Sequence, residues 1–284
     1  MKSLFPIGPS LALKANPTAP FPLIVQDIYE GIRKTAKLGF DSVELHIRDP
    51  KNELDPYKVR DLCQENGLLV SSMGTGQAFG AEGLSITSSD SDVRNRAIRR
   101  LMDHVDVASI VGGVVIIGSM RGKIPDGSTF RAVNSLMLES MKRLIDYAEK
   151  KCVSFAIEAI DRFETNYLLT AESVLSLIDE LGSSLVGVHL DSYHMNIEEN
   201  DWVKPVYDCG NRLFHFHAAD NTRWYPGSGK IPFSLLLEAL QRVNYKGSLT
   251  LECFPFPSQE EACLKGIAYL REVCDTVRGK QHAI

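Results

Sequence analysis

The chain has 284 residues, 44% hydrophobic and 24% charged, with a formal net charge of -5 and a pI near 5.8. A chain of this length buries a large core without staples, and about 250 residues is the usual size of a (β/α)8 barrel. The mild acidity gives no electrostatic reason to expect nucleic acid or an anionic membrane as partner, and no run approaches the ~18 consecutive apolar residues of a membrane helix.

Short β-branched runs alternate with longer amphipathic stretches along the whole chain. In chain order the pattern predicts a strand at 10–14, a helix at 24–38, a strand at 42–47 and a helix at 56–66. It continues with a strand at 68–72, a helix at 92–111, a strand at 114–118 and a helix at 129–150. The second half reads as strand 154–158, helix 171–181, strand 185–191, helix 202–209, strand 213–217, helix 232–243, strand 248–253 and helix 259–277. Gly39, Gly67 and Gly182 stand where helices end in a left-handed cap. Thr170, with Ser173 three residues on, is placed to cap a helix start, and Ser89 or Ser91 to cap the 92–111 helix.

Eight strand–helix units in strict alternation predict an all-parallel sheet, and the count of eight predicts α/β architecture as a closed (β/α)8 TIM barrel. A doubly wound open sheet is the alternative, but no GxGxxG follows the first strand. No linker or low-complexity block divides the chain, so one domain spanning 1–284 is expected. The six cysteines form no CxxC pair and read as reduced thiols. Pro6, Gly8 and Pro9 interrupt any signal-peptide core, so a cytoplasmic protein is expected.

Active sites of such barrels lie at the C-terminal strand ends. Four consecutive predicted strands finish on Glu158, Asp191, His217 and Glu252, at gaps of 33, 26 and 35 residues, each close to one strand–helix unit. Three carboxylates in one barrel mouth repel each other and resist desolvation unless a cation joins them. Three oxygen donors and an imidazole suit one divalent metal ion, whether manganese, magnesium, cobalt or zinc, with positions left open for substrate oxygens. In the strand Val43-Glu-Leu-His-Ile47, the period of two puts Glu44 and His46 on the barrel interior and the apolar residues outward. His189 and His215 bear the same relation to Asp191 and His217, and read as packed or supporting histidines. Arg162 lies just past Glu158, where a solvated loop charge is the better reading, and Arg121 and Lys123 read at least as well as a solvated loop pair as they do as contacts to a substrate phosphate or carboxylate.

The stretches Glu158-Ala-Ile-Asp-Arg-Phe-Glu-Thr-Asn166, His189-Leu-Asp-Ser-Tyr-His-Met-Asn and His215-Phe-His-Ala-Ala-Asp-Asn-Thr-Arg223, with the strand-end Glu252, resemble the D-tagatose 3-epimerase and D-psicose 3-epimerase group of xylose-isomerase-like barrels. The resemblance implies that Glu158, Asp191, His217 and Glu252 bind one metal ion, manganese first among the candidates. It implies that Glu158 and Glu252 are also the acid/base pair, and that Glu164, His194 and Arg223 hold the substrate's first oxygens. The implied activity is that of a carbohydrate isomerase, a ketose 3-epimerase working through a cis-enediolate, and relatives of this kind form homodimers or homotetramers. The resemblance thins in the first half, at Ser71-Ser-Met-Gly-Thr-Gly-Gln-Ala-Phe-Gly80 and Ile116-Ile-Gly-Ser-Met-Arg-Gly-Lys123, which leaves the sugar open.

Other readings share the barrel. A sugar-phosphate epimerase or isomerase, or a cyclitol or sugar-acid dehydratase, would use the same metal site. An apurinic endonuclease would need a multi-zinc site, and only seven histidines occur, His282 in the tail among them. A sugar-binding barrel without activity would have no need of the intact acid/base pair.

Overall fold

The computed structural model describes residues 3–15 and 21–281, so His282 lies outside the described residues. The strand β1 (Ile7–Ala12) is followed by a two-residue strand β2 (Ile24–Val25), the helix α1 (Ile28–Lys37) and β3 (Ser42–His46). Next come α2 (Pro50–Glu53), α3 (Pro56–Glu65), β4 (Leu69–Gly74), α4 (Gly76–Glu82), α5 (Ser91–Val111), β5 (Val114–Ile117) and α6 (Phe130–Glu149). The remainder is β6 (Phe155–Glu158), α7 (Ala171–Leu181), β7 (Val186–Asp191), α8 (Ser192–Glu198), α9 (Lys204–Cys209), β8 (Leu213–His217), α10 (Phe233–Arg242), β9 (Leu249–Leu251) and α11 (Gln259–Gln281). The strands pair in parallel in the order β1, β3 to β9, and β1 pairs with β9, so the eight long strands close a barrel. None of the described helices is long and apolar enough to cross a membrane.

Three differences from the sequence expectations have local causes. The helix expected at 24–38 starts only at Ile28, because Asp27 accepts the backbone N–H groups of Tyr29 and Glu30 and so caps it there. Ile24 and Val25, freed from the helix, pair with Leu11 and Ala12 of β1. The cap of α5 is Asp90 rather than Ser89 or Ser91, its carboxylate accepting from Asp92 and Val93. Thr170 caps α7 in a reciprocal box with Ser173, and Gly182 closes that helix at φ 63°. Finally, α8 occupies a stretch expected to be loop, and it starts directly from the end of β7.

The apolar faces of the strands turn outward. Val43, Leu45 and Ile47 are fully buried and belong to the continuous hydrophobic core shared with the surrounding helices, which includes Ile32, Leu62 and Leu101. The barrel interior is polar instead: Ser10, Glu44, Ser72, His189, His215 and Thr250 are all buried there. Most buried polar groups find hydrogen-bond partners. Ser10 does so across the barrel seam, donating from Oγ to the Leu251 carbonyl (3.1 Å) while accepting the Leu23 amide (2.9 Å).

Candidate active site

The strand ends bring Glu158, Asp191 and His217 together at one mouth of the barrel, as the final residues of β6, β7 and β8. Glu252 follows β9 by one residue and joins them. One donor atom from each of Glu158, Asp191 and His217 lies within 4.8 Å of the others, and Glu252 Oε2 is 3.5 Å from His217 Nδ1. Asp191 Oδ2 and His217 Nδ1 are 3.8 Å apart, both buried, and neither has a hydrogen-bond partner. Buried polar atoms left without partners cost about 1–3 kcal/mol each. A divalent cation removes that cost by taking a lone pair from each, and the donor set of three carboxylates and an imidazole suits one.

Local structure explains the aim of each group. Asp191 is also the N-cap of α8: its Oδ1 accepts the Tyr193 amide at 2.7 Å, which turns Oδ2 into the site. The same short helix carries His194, whose Nε2 lies 3.7 Å from Glu158 Oε1 and 3.9 Å from Asp191 Oδ2. Its Nδ1 is bonded to Asp161 Oδ2 at 2.7 Å, and Asp161 is itself held by accepting the amides of Phe163 and Glu164. Gly118, at the end of β5, is required by close approach, because a Cβ there would stand 2.5 Å from Glu158 Oε2.

Arg223 crosses the site from the loop after β8. Its Nη1 donates to Glu164 Oε1 (2.7 Å) and its Nη2 to Glu252 Oε2 (2.8 Å), with Asp191 Oδ2 at 4.0 Å. The Phe21 and Tyr193 rings flank the guanidinium at 4.5 and 4.8 Å. Arg223 sits at φ 58°, uncommon for a residue with a side chain. Its amide donates to the Asp220 carbonyl and its carbonyl accepts the Phe254 amide, both at 2.7 Å, and these bonds hold the conformation. The Asp220 carboxylate in turn accepts the amides of Asn221, Gly227 and Ile231.

Beneath this layer, Glu44 is fully buried and accepts from three imidazoles. His46 Nε2 donates to it at 2.6 Å, His215 Nε2 at 2.8 Å and His217 Nε2 at 2.9–3.0 Å, with Ser72 Oγ as a fourth donor at 2.5 Å. His46 continues to the site, its Nε2 3.7 Å from Glu252 Oε1. Gly74 leaves room for the His46 ring, since a Cβ there would come within 2.7 Å of it.

The two glutamates experience opposite fields. Burial, with the neighbouring carboxylates adding to it, pushes the Glu158 carboxyl up to about 7. Burial acts the same way on Glu252, but the charges of His217 and Arg223 outweigh it and hold this carboxyl well below its usual range. His217 is disfavoured as a cation by burial, yet Glu44 and Glu252 raise it well above an ordinary histidine. His194 likewise overcomes burial through its bond to Asp161 and titrates higher than usual.

Strand alternation places Glu44 inside the barrel without indicating its partners, and nothing in the sequence motifs around Asp161 and Asp220 marks their holding roles. Arg121 is fully buried and spends its guanidinium on the carbonyls of Glu158, Tyr167 and Leu168, so it fastens the end of β6 and offers nothing to an anion. Arg162 pairs with Glu198 at 2.8 Å. Lys123 is exposed at the edge of a cavity of about 400 Å3 that opens over Glu158, His217 and Glu252 and is walled by Phe79, Ile116 and Phe163.

The model of the xylose isomerase-like TIM barrel matches residues 32–273. The chain belongs to this family. Within it, the chain is 33% identical to the L-ribulose 3-epimerase of Methylomonas sp. (strain DH-1), over 79% of this chain and 78% of that protein. It is 32% identical to the ketose 3-epimerase of Arthrobacter globiformis over the same shares, 79% and 78%. Among solved structures, the D-allulose 3-epimerase from Methylomonas sp. in complex with D-allulose superposes with a TM-score of 0.77, at 25% identity, over 96% of this chain and 99% of that one.

Proposed function

We propose that this protein is a ketose 3-epimerase that uses one divalent metal ion held by Glu158, Asp191, His217 and Glu252. The observation that carries the reading is the convergence of Asp191 Oδ2 and His217 Nδ1, both buried and unbonded, on the space between two glutamates. The relatives named as 3-epimerases support the reaction, and manganese is the first metal to test. The metal, when bound, supplies Lewis-acid polarisation of the ketone and offsets the negative charge that develops on its oxygen.

The chain's own groups supply the proton chemistry. Glu158 and Glu252 come from strands with β7 and β8 between them, so their carboxyls meet the cavity from different sides. One removes the C3 proton beside the C2 ketone, leaving a planar enediolate, and the other returns a proton to the opposite face, inverting C3. An acid and a base held at different proton affinities suit this transfer, and the opposed shifts of Glu158 and Glu252 provide them. His194, Glu164 and Arg223 stand within reach of the same cavity and are assigned to the substrate's hydroxyls. With Arg121 spent on backbone carbonyls, only exposed Lys123 among the cavity's far-wall residues carries an uncommitted positive charge, which does not favour the phosphorylated alternative.

The test is C3 epimerisation of free ketoses, L-ribulose and D-psicose first, with added manganese. Glu158→Gln and Glu252→Gln should each lose about 10²–10⁴-fold in kcat, the usual worth of a positioned acid or base. Near-full activity in either variant refutes the assigned pair.

A further inference from the structure

Glu44 lies outside the proposed ligand set, yet three imidazoles and a serine hydroxyl converge on it inside the barrel. It reaches His217 on the side opposite the site: Nε2 faces Glu44, and Nδ1 faces Asp191 and Glu252. A ring whose Nε2–H is committed to a buried carboxylate must present Nδ1 as its lone pair once it is neutral. A flip of the ring would put carbon atoms where Nε2 and Nδ1 now stand, breaking the bond to Glu44 and taking the nitrogen donor away from the cluster. Ser72 on the adjacent β4 and His215 on β8, across the barrel interior, brace Glu44, so the carboxylate is itself held in place.

We propose that Glu44 is a positioning residue for the metal centre, fixing His217 as the Nε2–H tautomer with Nδ1 aimed at the ion. The inference rests on the metal reading given above. A carboxylate behind a ligating histidine typically contributes 10- to 100-fold in metal affinity, in the range of about that size here.

The experiment is calorimetric titration of manganese into chelator-stripped wild type, Glu44→Gln and Ser72→Ala. Gln keeps the shape of Glu44 but removes its charge, and Ser72→Ala removes a Glu44 contact that does not touch His217. Glu44→Gln should bind manganese about 10- to 100-fold more weakly, with a native circular dichroism spectrum and with kcat largely recovered at saturating metal. Ser72→Ala should stay within about threefold of wild type, a change of less than ~1 kcal/mol. A folded Glu44→Gln that binds manganese as tightly as wild type overturns the proposal. Should that variant fail to fold, the zinc-loaded wild type decides: nitrogen-15 correlation spectra should show His217 with a protonated Nε2 and a metal-bound Nδ1, and the reverse assignment overturns it. A wild type that binds no divalent ion at all defeats the metal reading itself, an outcome separate from either of these.

Discussion

Metal binding at this site should release protons in a number that changes with pH. The perturbation is a pH series from 8 to 5.5 on the metal-free protein. Glu158, raised to about 7 by burial and its carboxylate neighbours, is protonated below that pH and must ionise to ligate. His217, raised well above the ordinary histidine range once Glu44 and Glu252 overcome its burial, must also give up a proton from Nδ1. Glu252 is held ionised and contributes none. Near pH 8, where Glu158 is already ionised, the proton released on manganese uptake should come from His217, and by pH 6 Glu158 should add close to one more. The Glu158 contribution alone weakens apparent affinity about tenfold at pH 6, or ~1.4 kcal/mol, and each further unit costs another factor of about ten. The assay is calorimetry in buffers of different ionisation enthalpy, which counts protons directly. Glu158→Gln should lose the second proton and keep the first. Affinity unchanged between pH 8 and 5.5, or a Glu158→Gln that still releases two protons at pH 6, refutes the reasoning.

Three other outcomes follow from the same geometry. Arg223→Met removes the guanidinium that donates to buried Glu252 and leaves His217 to offset its charge, so the metal-free protein should lose about 1.5–3 kcal/mol and melt at least ~3 °C lower in chelator; a drop under ~1 °C counts against the bridge. Asp161→Asn removes the charge from the bond that orients His194, worth about 1.5–3 kcal/mol, and should lower kcat/KM roughly 10- to 100-fold; kinetics at the wild-type level would show that the dyad is idle. All six cysteines are free, and Cys152 alone is exposed, while burial pushes Cys63 up to about 11 and Cys209 and Cys263 to about 12. Iodoacetamide at pH 8 should add one label to the native protein and six after unfolding, read by mass spectrometry; a second native label would contradict the packing.

The four strand-end residues were legible because each closes an apolar run, and the run's period of two fixes which way its last side chain points. Glu252 shows how far that logic reaches: β9 ends at Leu251, yet the residue still meets His217. Glu44 shows where it stops. Alternation put it inside the barrel, but its partners His215 and His217 lie 171 and 173 positions away, and only closure of the barrel brings them together. The role of Asp191 as a helix cap was hidden for another reason: α8 is a seven-residue helix, too short to impose a period on its sequence. The role of Arg121 is hidden in the sequence because a charged residue in a glycine-rich loop reads as solvated, whereas here three backbone carbonyls enclose it.

The polar barrel interior also decides which imidazole carries charge. His189, His215 and His217 pack edge to face with ring centres 4.0–5.1 Å apart, too close for all three to be cations. Burial and the neighbouring imidazoles hold His189 well below the usual range, with no Glu44 bond to rescue it. His215 does bond Glu44, but its burial prevails and it too titrates low. Of these three rings, only His217 touches Glu44 on one side and faces Glu252 on the other, and it is the one whose protonated form is favoured. Removing that proton would then be the cost of loading the site with a metal, and the bond from Nε2 to Glu44 would hold the ring in place as it changes charge.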